Sequence, residues 1–294
     1  MRKQCLISGC LVFAPVLVAA TKITPSRPNV LFIIVDDLRP ELCCYGVDAI
    51  KTPNIDRLAS ESVLFGNAYC NVPVSGASRA SMLTGLYPVL PSGRFTHAYT
   101  YAEKDAPTAI PVSQWFSDHG YYTLSNGKVF HNVDDHAGSW SEHPWRVNME
   151  GYESHWAEYN KWELWMSDAS ARTIHPKTMR GPFHESADVP DSAYEDGKVA
   201  LKTIEDLRRL KEKEEPFFLA CGFWRPHLPF NAPKKYWDLY DREAIPMAGN
   251  NFRPEELPGQ VQTSTEINSY GGVGDKSLED FQRLRRGRAG ELAE

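Results

Sequence analysis

Two acidic residues stand at the end of the most apolar run in the sequence. Asp36 and Asp37 directly follow Asn29–Val35 (NVLFIIV). Adjacent carboxylates at the carboxyl end of a buried strand repel each other and lose hydration. A hard cation would relieve both costs, and oxygen donors of this kind suit Ca²⁺, with Mg²⁺ as the second choice. The pair could equally be solvated in a loop or cap a helix. A second group lies in Val74–Gly85 (VSGASRASMLTG). Ser75 falls where a loop turns into a helix, and Arg79 follows four residues later over the same face. Helix-start N–H groups and a guanidinium one turn on would form an anion cradle beside a potential nucleophile. An N-capping serine with a surface arginine is the plainer alternative.

Further along, Lys128 and His131 are three residues apart in GKVFH and could offer two donors to an anion, or could be a strand-end lysine and a surface histidine. His227, in RPHLP, follows another buried run and can hold or deliver a proton near neutral pH. The other histidines have no such context and read as surface or packing residues. Five of the eight tryptophans fall between Trp140 and Trp165, where indole faces could stack on sugar rings or simply pack.

These residues need a scaffold. Asn29–Val35 reads as a strand buried on both faces of a parallel sheet. Thr52-Pro53 opens a helix with Ile55, Leu58, Ala59 and Ser62 facing the core. A second helix runs from near Gly76 to Thr84 and ends at Gly85. Ile110–His119 is a third, followed by a short strand at Tyr121–Leu124. Asp191–Lys213 reads as a long helix with Ala200, Ile204, Leu207 and Leu210 inward, and Pro216–Cys221 as another buried strand. Strands alternating with helices predict an α/β layer fold with a largely parallel sheet, whose ligands sit at the carboxyl ends of the strands.

The 294 residues are 42% apolar and 24% charged, enough for a large core and unlike a disordered chain. A net charge of −6 gives no electrostatic case for nucleic acid. Arg2 and Lys3 before the apolar Leu11–Ala20 have the layout of a secretory signal peptide over residues 1–20, too short to span a membrane. Its removal predicts an exported chain, periplasmic or secreted, with no membrane span and with Cys43, Cys44, Cys70 and Cys221 remaining. Their irregular spacing suggests neither a zinc site nor a disulfide framework.

Asp36-Asp37, the S-x-A-S-R stretch at Ser75–Arg79 and the closing Thr84-Gly85 together resemble the type I sulfatases. Within that family the details are most similar to the iduronate-2-sulfatase branch and its bacterial serine-type relatives. The stretches Arg27–Gly46, Thr52–Ser62, Gly127–His131 and Pro216–Phe230 support this in order. The resemblance implies an alkaline-phosphatase-like three-layer sandwich, C-terminally incomplete. It divides the chain into residues 27–252 as the catalytic region and 253–294 as a poorly matched tail.

It also implies a chemistry. The residue at Ser75 is oxidised to Cα-formylglycine by a radical-SAM maturase, and the hydrated aldehyde attacks the sulfur of a sulfate ester on a sulfated carbohydrate. A geminal diol can then expel sulfate through its second hydroxyl, which a plain serine adduct cannot do. Ser75 and Ala77 depart from the commoner Cys and Pro of the family. Asp36, Asp37 and residue 75 would hold the cation, and Arg79, Lys128, His131 and His227 would act on the sulfate. The family's later Asp-His or Asp-Asn metal pair and its lysine have no counterpart here. Asp118-His119 ends a helix, and Asp134-Asp135-His136 follows no apolar strand. An inactive, carbohydrate-binding remnant, or a phosphoryl or phosphonate hydrolase of the same superfamily, are the alternative readings.

Overall fold

The structure, a computed structural model, describes residues 27–89, 92–147, 177–178, 180–241, 244–245 and 266–271. The signal-peptide reading of residues 1–20, Trp156, Trp162 and Trp165, and nearly all of the 253–294 tail lie outside the described residues. Among the described residues no helix is long and apolar enough to cross a membrane.

In chain order the strands are β1 (Val30–Val35), β2 (Tyr122–Gly127), β3 (His184–Glu185), β4 (Phe217–Phe223) and β5 (Phe230–Asn231). The helices are α1 (Pro53–Ser60), α2 (Ser75–Thr84), α3 (Ala102–Asp105), α4 (Val112–Asp118), α5 (Glu195–Lys211) and α6 (Lys234–Trp237). The main sheet has the order β1-β4-β2, all parallel, and β3 pairs with β5. β4 is the central strand because nearly every residue in it is apolar and can be buried on both faces.

Alternate residues of the strands divide between two helical layers. Val30, Phe32, Ile34, Phe218 and Ala220 pack against α2 and α4 through Ala77, Ala80, Leu83 and Phe116. On the other face, Leu124, Phe217 and Leu219 meet Leu207 and Leu210 of α5, and Cys221 meets Val199. This is the α/β/α sandwich that the sequence predicts. Cys43, Cys44, Cys70 and Cys221 are all free thiols.

Three expectations are corrected. β1 is an edge strand with one face uncovered, and Leu31 and Ile33 are 44% and 50% exposed. Among the described residues it is therefore not buried on both faces: α5 packs on β4 and β2, and a cavity separates it from Ile33 and Val35 of β1. The inward stripe of α5 is Val199, Thr203, Asp206 and Leu210, while Ile204 is exposed. Here a buried Asp206 accepting from Asn126 takes a place that apolar periodicity would not assign to it. Helix α1 buries none of its residues, with Ile55 and Leu58 exposed, so its apolar stripe meets no described core.

Helix α2 is seated deeply because its first turn is small. A Cβ on Gly76 would lie 2.1 Å from the Ala98 carbonyl oxygen. The helix ends at Gly85, whose φ of 71° and N–H to the Ser81 carbonyl close it. The carboxyl ends of β2 and β4 approach equally closely. Gly127 faces Gly222 in the register, and a side chain on either would strike the other's surroundings.

Candidate active site

The carboxyl edge of the sheet gathers the residues singled out above. Asp36 directly follows β1, and its backbone N–H continues the ladder to the Phe223 carbonyl at 3.1 Å. Asp37 turns the chain away with φ 53°, a conformation that Asp tolerates better than most residues, and is exposed. Ser75 is the first residue of α2, with Val74 in extended conformation before it. Its hydroxyl is thus offered outward from the positive end of the helix.

Ser75 Oγ donates to Asp36 Oδ1 at 3.2 Å and accepts from Arg79 Nε at 3.2 Å. His131 Nδ1 lies 3.4 Å from the same oxygen. Arg79 Nη2 bonds Asp36 Oδ1 at 2.8 Å, and Lys128 Nζ donates to Asp36 Oδ2. Arg79 is therefore no surface cation, and Lys128, 1% exposed, is no solvated strand end. His227 is held by Nδ1 against the Leu228 carbonyl at 2.7 Å, with Glu266 Oε2 4.0 Å from its Nε2. It does not share the Ser75 hydroxyl, but it stands near enough for its charge to bear on Asp36.

The electrostatics follow from burial against pairing. Burial alone would raise the Asp36 carboxyl, but Lys128, Arg79 and His227 overcome it and hold it well below the usual carboxylate range. Burial pushes Lys128 down to about 8, against the pull of Asp36. Burial, with Lys128 and Arg146 beside it, pushes His131 down to about 2, so its ring is neutral at physiological pH. A neutral imidazole 3.4 Å from an oxygen can donate or accept, according to its tautomer.

Two oxygen donors meet here that could hold a hard cation, Asp36 and Ser75, and Asp37 follows Asp36 directly in the chain. The 3.2 Å between Asp36 Oδ1 and Ser75 Oγ fits two ligands of one ion at the roughly 2.3–2.6 Å that Ca²⁺ takes. The donor chemistry fits Ca²⁺ and supplies part of its shell. Among the described residues no group of three or more His, Cys, Asp or Glu forms a cluster that would complete it.

Composition and spacing did not reveal the supports beneath this edge. Asp196, in the first turn of α5, accepts from the Trp224 N–H at 2.9 Å and the Arg225 N–H at 2.8 Å, tying the helix to the turn that carries His227. Trp224 places its ring 4.3 Å from Lys128 Nζ, a cation–π contact. Arg146 donates to three backbone carbonyls around Lys128 and His131. A lone arginine in a tryptophan-rich stretch carries no signal of that kind. Trp140 stacks on Phe218 in the core, which excludes it from lining a substrate. Asp135 caps α3 through the Ala102 and Glu103 N–H groups, and His119 stacks on Trp115, so neither false metal pair takes part.

The sulfatase family profile matches residues 28–273. The chain belongs to the sulfatase family. It is 37% identical over 251 residues to the iduronate 2-sulfatase of Homo sapiens, covering 80% of this chain and 42% of that protein. A sulfatase of Formosa agariphila is 34% identical over 229 residues, covering 74% of this chain and 43% of that one. The chain thus spans less than half the length of these two relatives. In fold it resembles the phosphonate monoester hydrolase of Agrobacterium radiobacter, with a TM-score of 0.56 at 21% identity over 90% of this chain and 56% of that one. The sulfatase edge described above lies wholly within the matched span.

Proposed function

We propose that this chain carries the nucleophile-bearing part of a sulfuric ester hydrolase of the iduronate-2-sulfatase kind, acting on a sulfated carbohydrate. The observation that supports it is the meeting of Asp36, Ser75, Arg79, Lys128 and His131 within one hydrogen-bonded group. Residues 27–252 are the catalytic region in this reading, and the amino-terminal apolar segment exports the chain.

Conversion of Ser75 to Cα-formylglycine by a radical-SAM maturase would supply a hydrated aldehyde as nucleophile, and Ca²⁺ held by Asp36, Asp37 and the residue-75 oxygen would polarise the oxygens around it. This chain's own side chains do the rest. Arg79 fixes the residue-75 oxygen through Nε and balances Asp36 through Nη2. Lys128 brings an ammonium from beneath, which favours charge building on sulfate oxygens in a site with little water. Neutral His131 holds a hydrogen bond at the nucleophilic oxygen. With Nδ1 donating to the Leu228 carbonyl, Nε2 of His227 is the atom that hands a proton to the leaving alkoxide.

The test is expression with a radical-SAM maturase and Ca²⁺. Mass spectrometry of the Ser75 peptide should show the loss of two hydrogens. Turnover of a chromogenic aryl sulfate, a sulfated uronate disaccharide and the matching phosphate ester should favour the sulfates. Preference for the phosphate ester, or an unmodified Ser75 with undiminished turnover, would overturn the reading.

A further inference from the structure

All five carbonyls from Gly127 to His131 accept hydrogen bonds from just two guanidinium groups. Arg79 Nη1 serves Lys128 and Val129, the latter at 3.0 Å. Arg146 serves the other three: Nε to Gly127 at 3.1 Å, Nη1 to His131 at 3.0 Å, and Nη2 to Phe130. Arg146 is only 3% exposed. Its backbone is anchored too, because the preceding Trp145 donates to Ser125 and accepts from Gly127, both at 2.8 Å. The arginine is thereby fixed beside the end of β2 and reaches around the loop that follows.

We propose that Arg146 is a positioning residue of the site: it shapes the Gly127–His131 loop so that Lys128 and His131 face Ser75. The proposal rests on the reading of this site as one for a sulfate ester. A planar fork with five N–H donors can satisfy three diverging carbonyls at once, and a lysine ammonium cannot reach all three. Without the fork, the Phe130 and His131 carbonyls would lose their guanidinium donors and Gly127 would keep the Val129 N–H at 3.2 Å, so the loop would rearrange to find new partners. Both Lys128 and His131 would then lose their aim, since the Lys128 N–H bond to the Gly222 carbonyl is the last that the loop shares with the main sheet.

The test compares the full chain with Arg146→Lys and Arg146→Met. Hydrogen–deuterium exchange is followed in the peptide spanning residues 127–131, and inorganic sulfate is titrated by calorimetry. Both variants should still unfold cooperatively, with a thermal midpoint lowered by several degrees but well above the assay temperature. Amide exchange at residues 128–131 should quicken by about tenfold or more in both. Sulfate affinity should fall by about tenfold in the lysine variant although the charge is kept, the scale expected for a residue that orients others. Wild-type exchange in the loop of both variants would overturn the proposal. So would global unfolding of both, which would make Arg146 a folding residue only. If the wild type fails to bind sulfate, the sulfate-ester reading falls, while loop exchange still decides the role of Arg146.

Discussion

Ser75 Oγ and Asp36 Oδ1 lie 3.2 Å apart, although 39 residues separate them in the chain. The contact exists because α2 starts beside the carboxyl end of β1, and it makes Asp36 the electrostatic centre of the site. Its carboxylate faces two buried cations, Arg79 and Lys128. Removing that charge should leave both uncompensated. Asp36→Asn is therefore expected to lower stability by roughly 3–5 kcal/mol, as for other broken buried pairs. Denaturant unfolding measures it, and Lys128→Met in the same chain should recover part of the loss. A change within about 0.5 kcal/mol would show that the pair is solvated after all.

Calcium should act through the same oxygens. After chelator treatment, adding Ca²⁺ is expected to raise the thermal midpoint of the wild type. At a hundredfold excess over its dissociation constant the gain is about 2.7 kcal/mol. Asp37→Asn should blunt the response, and Asp36→Asn should abolish it. An equal rise in all three proteins would mean that the ion binds elsewhere.

The layer order of the fold and the site's two ends were legible in sequence for different reasons. NVLFIIV and PFFLAC announce strands because continuous apolar runs have few other uses, and Asp36 gains meaning from its place after the first. Ser75 and Arg79 share a helix face, so their contact follows from spacing alone. Lys128 and His131 could not be placed that way, since their positions depend on how a non-repetitive loop folds around two arginines. Glu195, Asp196 and Asp206 were hidden for another reason. Periodicity assigns charged residues to the solvent side of α5, whereas tertiary partners on β2 and on the turn after β4 draw Asp206 and Asp196 inward.

Glu195 gives a pH signature. Burial, with Asp196 beside it, raises its carboxyl from 4.5 to about 8. Below the lower value the group is protonated in folded and unfolded chains alike, and the folded state is not penalised. Between the two values the unfolded chain releases a proton that the folded chain keeps, so this contribution to stability drains away as pH rises, and the loss is complete above about 8. Glu195→Gln mimics the protonated form. It should match the wild type in mild acid and exceed it by a few kcal/mol at about pH 9. Unfolding curves across that range check it, and parallel pH profiles for the two proteins would count against a buried acid.

The last prediction concerns the seam on which Lys128 rests. Gly222 in β4 faces Gly127 in register, and the Lys128 N–H donates to the Gly222 carbonyl at 2.8 Å. A Cβ at residue 222 would stand 1.9 Å from the Lys128 carbonyl oxygen and 2.2 Å from its carbon. Both contacts are to backbone, so no side-chain rotation can relieve them, and either β4 or the loop must move. Moving the loop would displace the carbonyls that Arg79 holds and take Lys128 away from Asp36. Gly222→Ala is accordingly expected to cost about 4 kcal/mol or more, at the extreme of single substitutions. Gly138→Ala, where nothing lies within 4 Å of the added carbon, is the control and should be close to neutral. If Gly222→Ala folds at all, its sulfate affinity should fall further than its stability alone explains, because Lys128 is carried on the part that shifts. Equal stability and equal sulfate binding in both variants would show that the loop yields freely there, and the close packing of β2 against β4 would not then be what sets the lysine in place.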